Sequence, residues 1–98
     1  MKTYHGDRTI DGIVVTVNGA ALDDRRDIVD LSDDGFEWSF EGDAPAQLAL
    51  AILADHLGDA AEAKRLYQPF MHEIVANFAN EWTMTSDDVA QAVAALGG

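Results

Sequence analysis

The sequence predicts an α+β domain: a small antiparallel sheet of three to four strands, followed by three helices packed on one of its faces. Three observations predict it. The β-branched and alternating segments all lie before Gly42, the runs with helical periodicity all lie after it, and no linker, repeat or low-complexity tract separates the two parts. Residues 1–42 are therefore read as a sheet region and residues 43–98 as a helical region of a single domain spanning 1–98.

Lys2 to Gly6 reads as a first strand with Tyr4 inward, and Asp7-Arg8-Thr9 as turn material. Ile10 to Val17 carries the β-branched run Ile13-Val14-Val15-Thr16-Val17 and ends at Asn18-Gly19, a pair that favours a hairpin turn. Ala20-Ala21-Leu22 is a short return strand, and Ile28, Val29 and Leu31 form either a brief edge strand or a loop pinned to the core. Ser32-Asp33-Asp34-Gly35 is a further turn. It leads into strict alternation, with Phe36, Trp38 and Phe40 on one side and Glu37, Ser39 and Glu41 on the other, the pattern of a strand with one buried face.

The first helix begins near Asp43, a cap for the free amides, has Pro45 in its first turn, and closes at Gly58. Leu48, Leu50, Ile52, Leu53 and Leu57 make it apolar on several sides, so it is expected between the sheet and the later helices. Asp59 to Asn80 is a second helical region in which Pro69 predicts a kink or restart near Gln68. The third helix opens on Thr85 and Asp88, spaced as a capping box, and Trp82 and Met84 anchor the chain ahead of it.

Charge dominates the composition. Eighteen acids against six bases give a formal net charge of −12, and nine of the acids lie between Asp23 and Asp43. They are Asp23, Asp24, Asp27, Asp30, Asp33, Asp34, Glu37, Glu41 and Asp43, offset in that stretch only by Arg25 and Arg26. Such a surface repels nucleic acid and anionic membrane and attracts basic clefts. The same balance also suits solvation in a salt-rich cytoplasm. With no cysteine, thiolate chemistry and cysteine-ligated zinc are excluded. The absence of an apolar run at the amino terminus, and of any apolar stretch long enough to span a bilayer, leads to the expectation of a soluble cytoplasmic protein.

No catalytic pattern emerges. His5, His56 and His72 lack the i, i+4 spacing of a helical metal site, the acid pairs do not meet calcium-loop spacing, and neither a phosphate loop nor a serine-nucleophile elbow occurs. No cofactor, metal or enzymatic activity is expected. The aromatic residues are read as core, because Glu37 and Glu41 stand where a base-stacking platform requires basic residues. The acidic surface remains as the candidate site, with all nine acids from Asp23 to Asp43 as partner-binding residues. On a strand, carboxylates on one face recur every ~6.5–7 Å. Glu37 and Glu41, with the loop acids beside them, would then imitate the phosphates of a nucleic-acid strand, spaced about 3.4 Å per nucleotide along the axis.

The stretch Gly35-Phe-Glu-Trp38, Pro45-Ala-Gln-Leu-Ala-Leu-Ala-Ile-Leu-Ala-Asp-His-Leu-Gly58, with Tyr4-His-Gly-Asp-Arg8, Ala63-Lys-Arg-Leu-Tyr-Gln-Pro-Phe70 and Trp82, resembles a prokaryotic and phage family, the domain of unknown function 6166. In that family the turn between Trp38 and Pro45 is glycine-rich; here Ser39, Glu41, Asp43 and Ala44 stand in it. The resemblance implies no catalytic residues. Its occurrence on phages implies a small accessory protein directed at host defence, acting in the host cytoplasm. Together with the charge, it gives the expectation of a non-catalytic inhibitor of anti-CRISPR type, a DNA mimic whose partner is the basic surface of a nucleic-acid-binding protein such as a CRISPR effector complex. The competing expectation is a structural or adaptor domain of a salt-adapted proteome.

Overall fold

A computed structural model describes residues 2–97. Its sheet has four antiparallel strands in the order β3-β2-β1-β4. They are β1 (Thr3–Thr9), β2 (Gly12–Val17), β3 (Ala20–Ala21) and β4 (Trp82–Thr85). The helices α1 (Asp43–Leu57), α2 (Ala60–Glu73) and α3 (Ser86–Ala95) complete the α+β fold, with a short 3₁₀ turn at Val75–Asn77. Alternation along β1 sends Tyr4 and Gly6 inward and leaves His5 and Asp7 on the outer face. Register then lines up Val17, Tyr4 and Met84 across the sheet, with Val15, Gly6 and Trp82 as the next row. These inward side chains and the helices share one core.

The Asn18-Gly19 turn forms as the sequence predicts. Both residues have positive φ, 51° and 83°, the left-handed pair that matches the twist of a two-residue hairpin. The β1–β2 turn, by contrast, falls at Ile10-Asp11, and Asp7, Arg8 and Thr9 belong to β1. The Thr9 hydroxyl closes that turn by donating to Gly12 O and accepting from Asp11 N. Ile28, Val29 and Leu31 form no strand; they pin a loop to the core.

The largest departure from expectation is Phe36–Phe40, which alternates like a strand and forms none. Both edges of β1 are already taken, by β2 and by β4, so the segment cannot pair with the central strand of the sheet. Ser39 adopts φ 77°, which breaks the extension, and its N–H donates to Val75 O. Only Trp38 is fully buried, while Phe40 is half exposed. The Ser39 backbone thus occupies the region that glycine adopts most readily.

Pro45 to Ala54 of α1 are all buried, including one polar residue, Gln47. Gly42, not Asp43, is the residue that caps α1, and no side chain bonds its first amides. Asp43 sits one position inside, where an exposed carboxylate acts through the helix dipole alone. Helix α2 is capped by Asp59, whose carboxylate accepts from Ala61 and Glu62 N–H. No restart occurs at Gln68: α2 continues through Pro69 to Glu73, and the chain reforms as the 3₁₀ turn from Val75. Trp82 and Met84 are more than an anchor, since they belong to β4. Thr85 and Asp88 form the full capping box of α3. No helix among the described residues is long and apolar enough to cross a membrane.

Tyr4 ties the sheet to α1. Its hydroxyl donates to Asp55 at 2.7 Å, and the same carboxylate pairs with Lys2 at 3.0 Å. Burial is the main cause, and the bond to Asp55 the second, that raises the Tyr4 phenol well above the ordinary tyrosine range. The native state thus holds the Tyr4 proton more tightly than the unfolded chain. This contribution to stability is complete below the unfolded value of about pH 10 and is lost as pH rises beyond it. Urea unfolding followed from about pH 8 to about pH 11 is expected to show stability falling across that interval, with a shallower fall in Tyr4→Phe.

Candidate functional site

The acidic segment is shaped from below by one buried side chain. The Gln47 amide oxygen accepts from Leu31 N–H at 2.8 Å and Ser32 N–H at 3.2 Å, and its NH₂ donates to Asp24 O at 2.7 Å and Val29 O at 3.1 Å. All four hydrogen-bonding positions of the amide are thereby used. A loop without regular secondary structure has its backbone groups satisfied by a helix, so the acids on it hold a defined arrangement.

Within that loop, Asp23 and Asp24 accept from the N–H groups of Arg25 and Arg26, turning the chain. Arg25 pairs with Asp27 at 3.0 Å, and Arg26 with Asp30 at 2.9 Å and Asp33 at 2.6 Å. Hydrogen bonds from these guanidinium groups hold the Asp27 and Asp30 carboxyls below the usual carboxylate range. Asp34 and Asp43 are exposed and make no ion pair among the described residues.

Glu37 and Glu41 do not form a ladder of carboxylates. Glu37 is half-buried against Arg8 at 2.8 Å, whereas Glu41 pairs with His72 of α2. The strand spacing that would set them in phosphate-like register is absent because the segment is not a strand. Arg8 also donates to Trp38 O at 2.7 Å and Asn80 Oδ1 at 2.6 Å, and its guanidinium lies 4.6 Å from the Trp38 ring. It fastens the irregular segment to the sheet. Next to it, Trp38 and Trp82 meet edge to face at 5.8 Å, and Trp82 stacks on Phe78 at 4.3 Å. Neither buried indole N–H has a hydrogen-bond partner among the described residues.

Glu41 and Asp43 lie on a cleft of about 390 Å³ whose wall includes Ala46, Tyr67, Met71 and His72. Two carboxylates beside apolar side chains suit the head group and methylene stem of a lysine or arginine. Five of the protein's six basic residues (Lys2, Arg8, Arg25, Arg26 and Arg65) are bound to its own acids. The nine predicted acids therefore divide. Asp27, Asp30, Asp33 and Glu37 face the protein's own arginines, and Glu41 faces His72. Asp23, Asp24, Asp34 and Asp43 make no ion pair among the described residues.

Two residues central to this arrangement stand outside the predicted site. Gln47 is signalled only by being the one polar residue in an otherwise apolar stretch of helix, and Arg8 by its place among the residues that carry the family resemblance. No curated protein and no solved structure matches the chain. Over residues 4–95, from the buried Tyr4 to the last turn of α3, it matches the family of unknown function DUF6166, and it belongs to that family.

Proposed function

We propose that the protein is a non-catalytic binding protein whose acidic loop and the adjoining Glu41–Asp43 cleft occupy a basic, nucleic-acid-binding surface of another protein. The observation that carries this reading is the internal pairing of five of the six basic residues, while Asp23, Asp24 and Asp34 on the loop held by Gln47, and Asp43 at the start of α1, make no ion pair among the described residues. A fixed negative surface with its own cations occupied steers toward basic partners and away from nucleic acid. Among such partners, the phage-linked resemblance favours a defence complex, which makes an anti-CRISPR type inhibitor the most specific form of the proposal.

The test is target-DNA binding by purified CRISPR effector complexes with the protein added across a salt series. Inhibition is expected at low ionic strength, declining steeply as salt rises, and lost in the double charge reversal Asp34→Lys with Asp43→Lys. Undiminished DNA binding at low salt would end the defence-complex form. If pull-down from a low-salt lysate also recovers no basic partner, and thermal stability climbs strongly into molar potassium chloride, the acids serve solvation in a salt-adapted proteome instead.

A further inference from the structure

We propose that His5, Asp7 and Glu81 form a binding site for a divalent transition metal, of the zinc class, on the outer face of the sheet. Alternation along β1 puts His5 and Asp7 on the face opposite Tyr4 and Gly6. The pairings His5↔Thr83 and Gly6↔Trp82, continued by one residue, set Glu81 across from Asp7. One ligand atom from each of the three residues lies within 4.8 Å of the others. Tetrahedral zinc with bonds of 2.0–2.1 Å needs ligands about 3.4 Å apart, a spacing that His5 Nε2 and Glu81 Oε2 already have at 3.2 Å, so binding requires the Asp7 carboxylate to close in by side-chain rotation.

Two features favour a cation there. Carboxylates directly opposite one another on adjacent strands repel, and a metal between Asp7 and Glu81 turns that repulsion into attraction. The imidazole is also already oriented. Its Nε2 lies 3.2 Å from Glu81 Oε2, and its Nδ1 lies 3.0 Å from the Thr83 hydroxyl. A hydroxyl both donates and accepts, so Thr83 supports either state of the ring. Without metal, Nε2–H donates to Glu81 and Nδ1 accepts from Thr83. With metal, Nδ1–H donates to the Thr83 oxygen and the Nε2 lone pair faces the ion, the outer-shell arrangement usual for ligating histidines. On binding, the ring changes tautomer: the Nε2 proton leaves to water and Nδ1 takes one up from water, so the imidazole stays neutral. One imidazole and two carboxylates suit zinc, cobalt, nickel or manganese, whereas magnesium and calcium prefer an all-oxygen set. Three protein ligands leave at least one coordination position for water.

The measurement is calorimetric titration of the whole chain with zinc chloride in excess magnesium, which suppresses diffuse binding to an acidic surface. One equivalent is expected to bind. His5→Gln and Glu81→Gln should each weaken binding by about tenfold or more, and Thr83→Val by about tenfold through the ring orientation. Glu73→Gln with Asp87→Asn, which removes exposed acids elsewhere, should leave the affinity unchanged. Circular dichroism confirms that each variant is folded, and perturbation of the His5 ring resonances on zinc addition provides a second readout. Binding abolished by magnesium, binding undiminished in His5→Gln, or His5 resonances unmoved by zinc would each overturn the proposal.

Discussion

Gly6→Ala is expected to destabilise the fold by about 3 kcal/mol, or to prevent folding outright. A methyl group at position 6 would meet Trp82 Nε1 at 2.3 Å and Cε2 at 2.4 Å, closer than any real carbon contact. Trp82 has nowhere to go, because its ring is stacked on Phe78 on one side and abutted by Trp38 on another. Relief requires β4 to separate from β1 or the aromatic cluster to come apart. For a domain of this size, about 3 kcal/mol lowers Tm by roughly 12–24 °C. Thermal unfolding of Gly6→Ala, Trp82→Phe and the double variant checks the cause. The smaller ring makes room for the methyl, so the double variant should lose less than the sum of the two single losses. A Gly6→Ala Tm within about 2 °C of the parent would refute the packing argument.

The second large effect is expected at Gln47. Gln47→Leu keeps the volume close and removes four hydrogen bonds at once, leaving Leu31 N–H, Ser32 N–H, Asp24 O and Val29 O without their partner. At about 0.5–1.5 kcal/mol net per bond, and with the loop free to detach and find water, the cost is about 2–4 kcal/mol. Urea unfolding measures the total. Hydrogen exchange then discriminates between a local and a global role: the Leu31 and Ser32 amides should exchange fast while the α1 amides remain protected. The same variant bears on function. If the acids work as a fixed array, loosening the loop should weaken partner binding although no charge has changed.

Much of the architecture was legible because it rests on local chemistry. Asn18-Gly19 favours a hairpin turn after the β-branched run that precedes it, and Thr85 with Asp88 opens a helix from within its own four residues. The apolar surface of α1 requires burial on several sides whatever its neighbours are. The acidity of the 23–43 segment, likewise, is a matter of composition.

What local pattern does not contain is which segments compete for the same place. Phe36-Glu-Trp-Ser-Phe40 has the alternation of a strand, and so does Trp82-Thr-Met-Thr85 with only four residues, yet β4 takes the edge of β1. Gly6 accounts for part of that outcome, since a missing side chain leaves the space the Trp82 ring fills. The displaced segment then needs other partners for its backbone, and Arg8 and the Val75 carbonyl supply them. Composition, the Asn18-Gly19 turn and the capping box that opens α3 were thus determined by the sequence on its own, because each depends on residues within a turn or two of one another. The sheet edge, the Gln47 anchor beneath the acidic loop, the pairing of Glu37 with Arg8 and the meeting of Glu81 with His5 and Asp7 were decided only in three dimensions. Each of these depends on a contact between residues distant in the chain, where several candidates of similar local preference compete and packing selects one.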